Sequence, residues 1–146
     1  MKISLLIITK KWSREACFYQ YASELKHTNV NFEVLIAEGS NPSAQRNRLG
    51  EMATGDYLLF LDDDSIPDKL LLEEYRNVLL HYPEAKIVGG PSLLIEKNRP
   101  LYLMSHLFFS SSFGIGPIKY RYNSIGQIKN ASEKDLILCN LLIKKD

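Results

Sequence analysis

An α/β fold built on a mostly parallel sheet, with helices on both faces, is predicted by three observations. Nearly continuous apolar runs recur at Ile3 to Thr9, Phe32 to Ala37 and Tyr57 to Leu61, the pattern of strands covered on both sides. Stretches with helical spacing of apolar residues separate those runs, and clusters of Gly, Asn, Asp and Pro mark the turns between them. Strands alternating with helices read as right-handed β-α-β units.

The chain has 146 residues, which fits one domain on the prior of about 150 residues per domain. Such a length buries enough apolar surface to fold without a disulfide or metal staple. Lys plus Arg number 18 and Asp plus Glu 17, a net charge of +1. That balance excludes a nucleic-acid binder working by bulk basicity, and no nucleic-acid partner is expected. Cys17 and Cys139 form no CxxC pair, and His27, His81 and His106 have no HExxH spacing, so neither a zinc knuckle nor a redox motif is indicated.

Ile3 to Thr9 is the first strand. It is too short, too β-branched and too poorly followed by small residues to be a secretory signal. No stretch approaches the roughly 18 apolar residues of a membrane span, so a cytoplasmic location is expected. Trp12, Ala16, Tyr19, Ala22 and Leu25 predict a helix with Ser13 as its cap. The turn Glu38-Gly39-Ser40-Asn41-Pro42 follows the second strand and leads into a helix from about Ser43 to Ala53, with Gly55 as its C-terminal cap. Tyr57 to Leu61 is the third strand, and Asp62-Asp63-Asp64 follows directly. Pro67 fits the first turn of the next helix, capped by Ser65 or Asp68, with Leu71, Tyr75, Val78, Leu79 and Tyr82 as its buried stripe. Ile87-Val88 is a fourth strand. After Pro100 the rhythm breaks: Leu101 to Phe109 reads as a core helix, Ser110 to Pro117 as a flexible loop, and Leu136 to Ile143 as one more strand. The expected organisation is an α/β core over residues 1–95 and a substrate-side region over 96–146 of the same domain.

Ligands of open α/β sheets bind outside the carboxyl ends of the strands. Thr9, Glu38 and the triplet Asp62-Asp63-Asp64 stand at three such ends. Three successive aspartates repel one another by about 4 kcal/mol per close pair at an effective dielectric near 20. A hard divalent cation relieves that repulsion. Mg²⁺ or Mn²⁺ takes one or two carboxylates and completes its shell with water and substrate phosphate. Arg46, Asn47 and Arg48 near the start of the second helix suit anion or base recognition. Gly114-Ile115-Gly116 is not a dinucleotide fingerprint, and there is no phosphate-cradling GxxxxGKS.

The block from Ser43-Ala44-Gln45-Arg46-Asn47-Arg48 through Ala53-Thr54-Gly55-Asp56-Tyr57-Leu58-Leu59-Phe60-Leu61-Asp62-Asp63-Asp64 and Pro67 resembles the central signature of family 2 glycosyltransferases. Ile7-Ile8-Thr9 and Leu35-Ile36-Ala37-Glu38-Gly39-Ser40 resemble that family's first two strand ends, and Leu138 to Lys145 a strand before its acceptor-side region. The resemblance implies a GT-A, Rossmann-like fold and inverting transfer of a sugar from a nucleotide-diphosphate sugar, a UDP-sugar foremost, to a glycan or lipid-linked acceptor. It implies that Thr9 and Glu38 line the base and ribose pocket and that Arg46 lies beside them. Asp62 and Asp64 would be the outer aspartates of an Asp-x-Asp metal motif holding Mg²⁺ or Mn²⁺, and Asp63 would face the ribose or sugar.

Three departures stand out. Glu38 replaces the usual aspartate, and Gly50 is displaced by one position. The general base expected of such enzymes lies beyond the segment resembling Leu138 to Lys145, so the acceptor region is expected to be truncated and the catalytic base absent. A non-catalytic nucleotide-binding remnant is therefore the alternative expectation. A phosphatase of the haloacid-dehalogenase type fits less well, because its Asp-x-Asp would follow the first strand. Peripheral association with the inner face of a membrane through Leu101 to Phe113 is a further expectation, ranked below a plain core helix.

Overall fold

The computed structural model describes residues 1–11, 18, 25, 28–93 and 100–145. Strands β1 (Lys2–Thr9), β2 (Asn31–Glu38) and β3 (Tyr57–Asp62) alternate with helices α1 (Pro42–Met52) and α2 (Leu71–His81). Strand β4 (Ile87–Gly89) follows, then helices α3 (Pro100–Ser110) and α4 (Ser112–Ile115), a 3-10 turn (Gly116–Arg121) and strand β5 (Asn140–Lys144). The strands form one sheet in the order β2-β1-β3-β5-β4. β1 pairs in parallel with β2 and with β3. The Lys144 N–H donates to Lys86 and the Lys145 N–H to Asp56, each at 2.8 Å. The end of β5 thus meets the starts of β4 and β3, and β5 runs antiparallel to both. The expected mixed α/β, mostly parallel architecture is what the chain adopts.

Alternation along β1 sorts the core. Ile3, Leu5 and Ile7 pack with Leu59, Leu61, Leu72, Tyr75, Leu79 and Leu142 on one face. Leu6 packs with Ala37, Leu49 and Ala53 on the other, joined by Ile8, Leu58 and Phe60. A strand whose odd and even residues both find apolar partners must read as a continuous apolar run. β2 departs from that expectation: it is an edge strand, and of its eight residues only Ala37 is buried. Of the helix predicted over Trp12 to Leu25, only Phe18 and Leu25 are described, and both are buried. The rest of that prediction, its cap Ser13 and Cys17 lie outside the described residues.

The helix ends differ from their sequence-based assignments. α1 is capped by Asn41, whose side-chain oxygen accepts from the Ala44 N–H at 3.1 Å, and Pro42 occupies its first turn. Gly55 does not cap α1, which ends at Met52 with Ala53 as cap. Its role is close approach: a Cβ there would lie 2.6 Å from Ser4 Oγ, 2.8 Å from Ser4 N and 2.9 Å from Lys2 O. α2 starts at Leu71, later than Pro67 suggests, and no side chain caps it. Asp68 instead accepts from the Leu70 N–H at 2.8 Å, and the Ser65 hydroxyl accepts from the Asp62 N–H at 3.2 Å. Leu72, Tyr75 and Leu79 are its buried residues, while Tyr82 is exposed.

The chain forms two compact units, Met1–Val88 with the C-terminal strand from Leu141, and Gly89–Asn140. In the second unit, the stretch expected to be a flexible loop is ordered into α4 and the 3-10 turn. Ser111 caps α4 by accepting from the Gly114 N–H at 2.9 Å, and Gly116, at φ +63°, supplies a left-handed residue that ends it. Helix α3 forms where expected, but none of its residues is buried, so it is not a core helix.

Candidate functional site

The register of the parallel strands brings the polar strand ends together. Thr9 stands opposite Glu38 across β1 and β2, and Ile8 opposite Asp62 across β1 and β3. The carboxyl ends of β2, β1 and β3 therefore present Glu38, Thr9 and Asp62-Asp63-Asp64 side by side. The chain leaves β1 for β2 on one side and returns to β3 on the other, so the sheet order reverses between β1 and β3. That is the switch point at which open α/β sheets form a ligand crevice.

Parity along β3 decides where the carboxylates go. Leu58 and Phe60 pack on the α1 face of the sheet, and Asp62, two residues on, continues that series. Arg46 on α1 accordingly reaches it, with Nη2 3.7 Å from Asp62 Oδ1. Burial pushes the Asp62 carboxyl above its ordinary value; Asp64 adds to the rise, Arg46 opposes it, and Asp63 contributes a smaller rise. Asp63 takes a separate partner: the buried Thr9 hydroxyl donates to its Oδ2 at 2.5 Å. Asp64 is exposed, as are Asn47 and Arg48, so of the basic pair on α1 only Arg46 meets the acidic cluster. Glu38 is exposed at the end of β2.

One residue of this region was not foreseen. Gln45 is buried, and its amide donates to Thr9 O at 2.9 Å and to Ala37 O at 2.6 Å. The Gly39 N–H also donates to Thr9 O, at 3.0 Å. Gln45 thus ties the first turn of α1 to the ends of β1 and β2. The sequence offered one hint, a polar residue four before the buried Leu49, on the face that helical spacing turns inward.

The donor set suits a hard divalent cation. A half-buried carboxylate pushed toward protonation by burial and by two neighbouring carboxylates, with a single guanidinium 3.7 Å away, carries negative charge that its own surroundings only partly offset. Among the described residues no group of three or more His, Cys, Asp or Glu forms a metal cage. Mg²⁺ seldom uses an all-protein cage and favours one or two carboxylates with substrate phosphates.

The family model of glycosyl transferase family 2 matches residues 18–141. The chain belongs to that family. A search of the curated proteins returns no match. For a family 2 glycosyltransferase the carboxylates of the C-terminal part matter as candidate bases. Asp135 accepts from the Ser132 N–H at 2.9 Å, from Lys129 at 3.1 Å and from the Ser132 hydroxyl at 3.0 Å. Those partners, the backbone N–H first, hold its carboxyl down at about 2, far below the neutral range in which a general base works best.

Proposed function

We propose that the chain binds a nucleotide-diphosphate sugar, with UDP as the favoured nucleotide, at the carboxyl ends of β1, β2 and β3, and that it is built for inverting transfer of the sugar to a glycan or lipid-linked acceptor. The observation that carries this reading is the alignment of Glu38, Thr9 and the aspartate triplet at the switch point of the sheet in a family 2 glycosyltransferase. Thr9 and Glu38 line the base and ribose pocket, and Arg46 lies beside them. Asp63, steadied by Thr9, faces the ribose or sugar. Asp62 and Asp64 would hold Mg²⁺ or Mn²⁺, which when bound supplies positive charge against the departing diphosphate. Arg46 balances the Asp62 carboxylate in the meantime and is placed to turn toward an incoming anion. In this reading residues 1–95 form the donor part and residues 96–146 the acceptor side, and the work is done at the cytoplasmic side of the cell.

Calorimetric titration with UDP, with and without Mn²⁺, tests it. Binding is expected to require the metal and to fall at least about tenfold in Asp64→Ala, the loss of about 1.4 kcal/mol. Metal-independent binding, or an unchanged affinity in the variant, contradicts it. The engagement of the Asp135 carboxylate by Ser132 and Lys129 supports a second reading, a domain that holds the donor but transfers nothing. A turnover assay separates the two: donor binding without transfer or hydrolysis selects the second.

A further inference from the structure

Among the described residues three polar side chains are buried: Ser4 near the start of β1, and Thr9 and Gln45, which meet at its end. Gln45 lies one helical turn before Leu49, on the face of α1 that packs on the sheet. An apolar side chain would suit that face. An amide there is costly unless its hydrogen bonds are made. The Gln45 amide has two N–H groups, and it directs them to two strand carbonyls, Thr9 O at 2.9 Å and Ala37 O at 2.6 Å. Those carbonyls belong to neighbouring strands. The amide therefore fixes their separation just where the pairing of β1 with β2 ends, at Thr9 opposite Glu38.

The residues held in this way are those of the proposed nucleoside pocket. Thr9 O also accepts from the Gly39 N–H at 3.0 Å, so β1, the turn after β2 and α1 converge on one oxygen. The Thr9 hydroxyl donates to Asp63 Oδ2 at 2.5 Å, and its direction follows from where the Thr9 backbone is held. Ala37 immediately precedes Glu38. A single buried side chain thus sets Thr9, Glu38 and Asp63 against one another. The other end of the donor site is fixed by other means. Asp62 and Asp64 are carried by β3 and the turn after it, and the first turn of α1, which bears Arg46, is capped by Asn41. We propose that Gln45 is a positioning residue for the nucleoside part of the donor, holding the ends of β1 and β2 at the separation that base and ribose require. The inference rests on the donor reading above and deepens it, dividing the site into a nucleoside end that depends on Gln45 and a metal–diphosphate end that does not.

Calorimetric titration of the full chain with UDP and with pyrophosphate, each with Mn²⁺, tests it. Gln45→Met keeps the length of the side chain and removes both donors. It is expected to bind UDP at least about tenfold more weakly than the wild type and to bind pyrophosphate equally well. Gly55→Ala is the control for stability: it crowds Ser4 and Lys2 at the opposite end of β1 and is expected to keep the wild-type affinity for UDP. Gln45→Asn keeps the amide one methylene short and is expected to bind UDP with intermediate affinity; it carries the test alone if circular dichroism shows Gln45→Met unfolded. Undiminished UDP affinity in Gln45→Met, or in Gln45→Asn where that variant stands alone, overturns the inference and leaves the donor reading intact. An equal loss for UDP and pyrophosphate, or an equal loss in Gly55→Ala, also overturns it, because a general loosening of the fold then accounts for the effect. A wild-type chain that does not bind UDP overturns the donor reading, and this inference with it.

Discussion

Gln45 is a polar side chain buried where strand ends and a helix start converge, and its amide donates to two carbonyl groups there. Replacing it with Leu leaves acceptor capacity buried without a donor. Gln45→Leu is therefore expected to lose about 1–3 kcal/mol of stability, seen as a lower midpoint in urea unfolding. Gly55 has the opposite character, since nothing polar on its side chain matters and only its size does. A methyl group there would sit within 3 Å of Ser4 and Lys2 backbone atoms, which cannot step aside as a flexible side chain could. Gly55→Ala is expected to cost about 1–3 kcal/mol, readable as a drop in the thermal midpoint without loss of the far-UV spectrum at low temperature.

The elements of the sheet are joined at their amino ends by a network built on Glu33 of β2. Its carboxylate accepts from Ser4 Oγ at 2.6 Å, Lys2 Nζ at 2.9 Å and the Thr54 N–H at 2.7 Å. The Ser4 hydroxyl in turn accepts from the Gly55 N–H at 2.9 Å. The network thus binds β1, β2 and the turn before β3 at the end of the sheet away from the aspartate triplet. Ser4 foremost, then Lys2 and Thr54, hold the Glu33 carboxyl down at about 2, from an ordinary value of 4.5, against the upward push of burial. A carboxyl lowered on folding stabilises the native state above its unfolded value. That stabilisation is lost as pH falls from about 4.5 toward 2. With solvent screening allowed for, the pH-dependent part is about 1 kcal/mol. Urea unfolding at pH 7 and pH 3 is expected to show that loss in the wild type and to show it diminished in Glu33→Gln.

Across the whole molecule, apolar burial is unevenly shared. Every buried apolar residue among the described ones belongs to Met1–Val88 or to the returning strand β5. Gly89–Asn140 contributes none and is held by local hydrogen bonds, such as Asn123 Nδ2 donating to Ser110 O at 2.9 Å and to Lys119 O at 3.1 Å. Burying a large aliphatic side chain contributes about 1.5–3 kcal/mol, so cooperative stability concentrates in the first unit. Amide hydrogen exchange is expected to show it: the β1 and β3 amides exchange only through global opening, and those of Gly116–Asn140 at least ~100-fold faster. Equal protection in the two units would contradict that division.

Much of the sheet was legible from the chain alone. β1 is buried on both faces and β3 packs apolar side chains on both, and such strands must be written as unbroken apolar runs; the acidic triplet at the end of β3 stands out because it breaks such a run abruptly. The family was legible for the same reason, since its signature lies in that strand and the helix before it. Helix boundaries were less so. Ser65 and Asp68 have the chemistry of caps, yet each is drawn into a local turn that delays α2 to Leu71. Gly55 resembles a helix stop and is instead a point of backbone contact with a strand more than fifty residues away in the chain. Composition told that α3 is apolar, but an apolar helix reads alike whether it is covered or bare. Only the packed structure sets the Phe109 ring against Tyr122 and leaves every residue of α3 short of burial. Strand identity follows from local side-chain alternation, which a sequence records directly. Which carboxylate meets Arg46, which amide bridges two strand ends and which face of a helix stays open depend on register and on contacts between distant residues, and those exist only once the chain has folded.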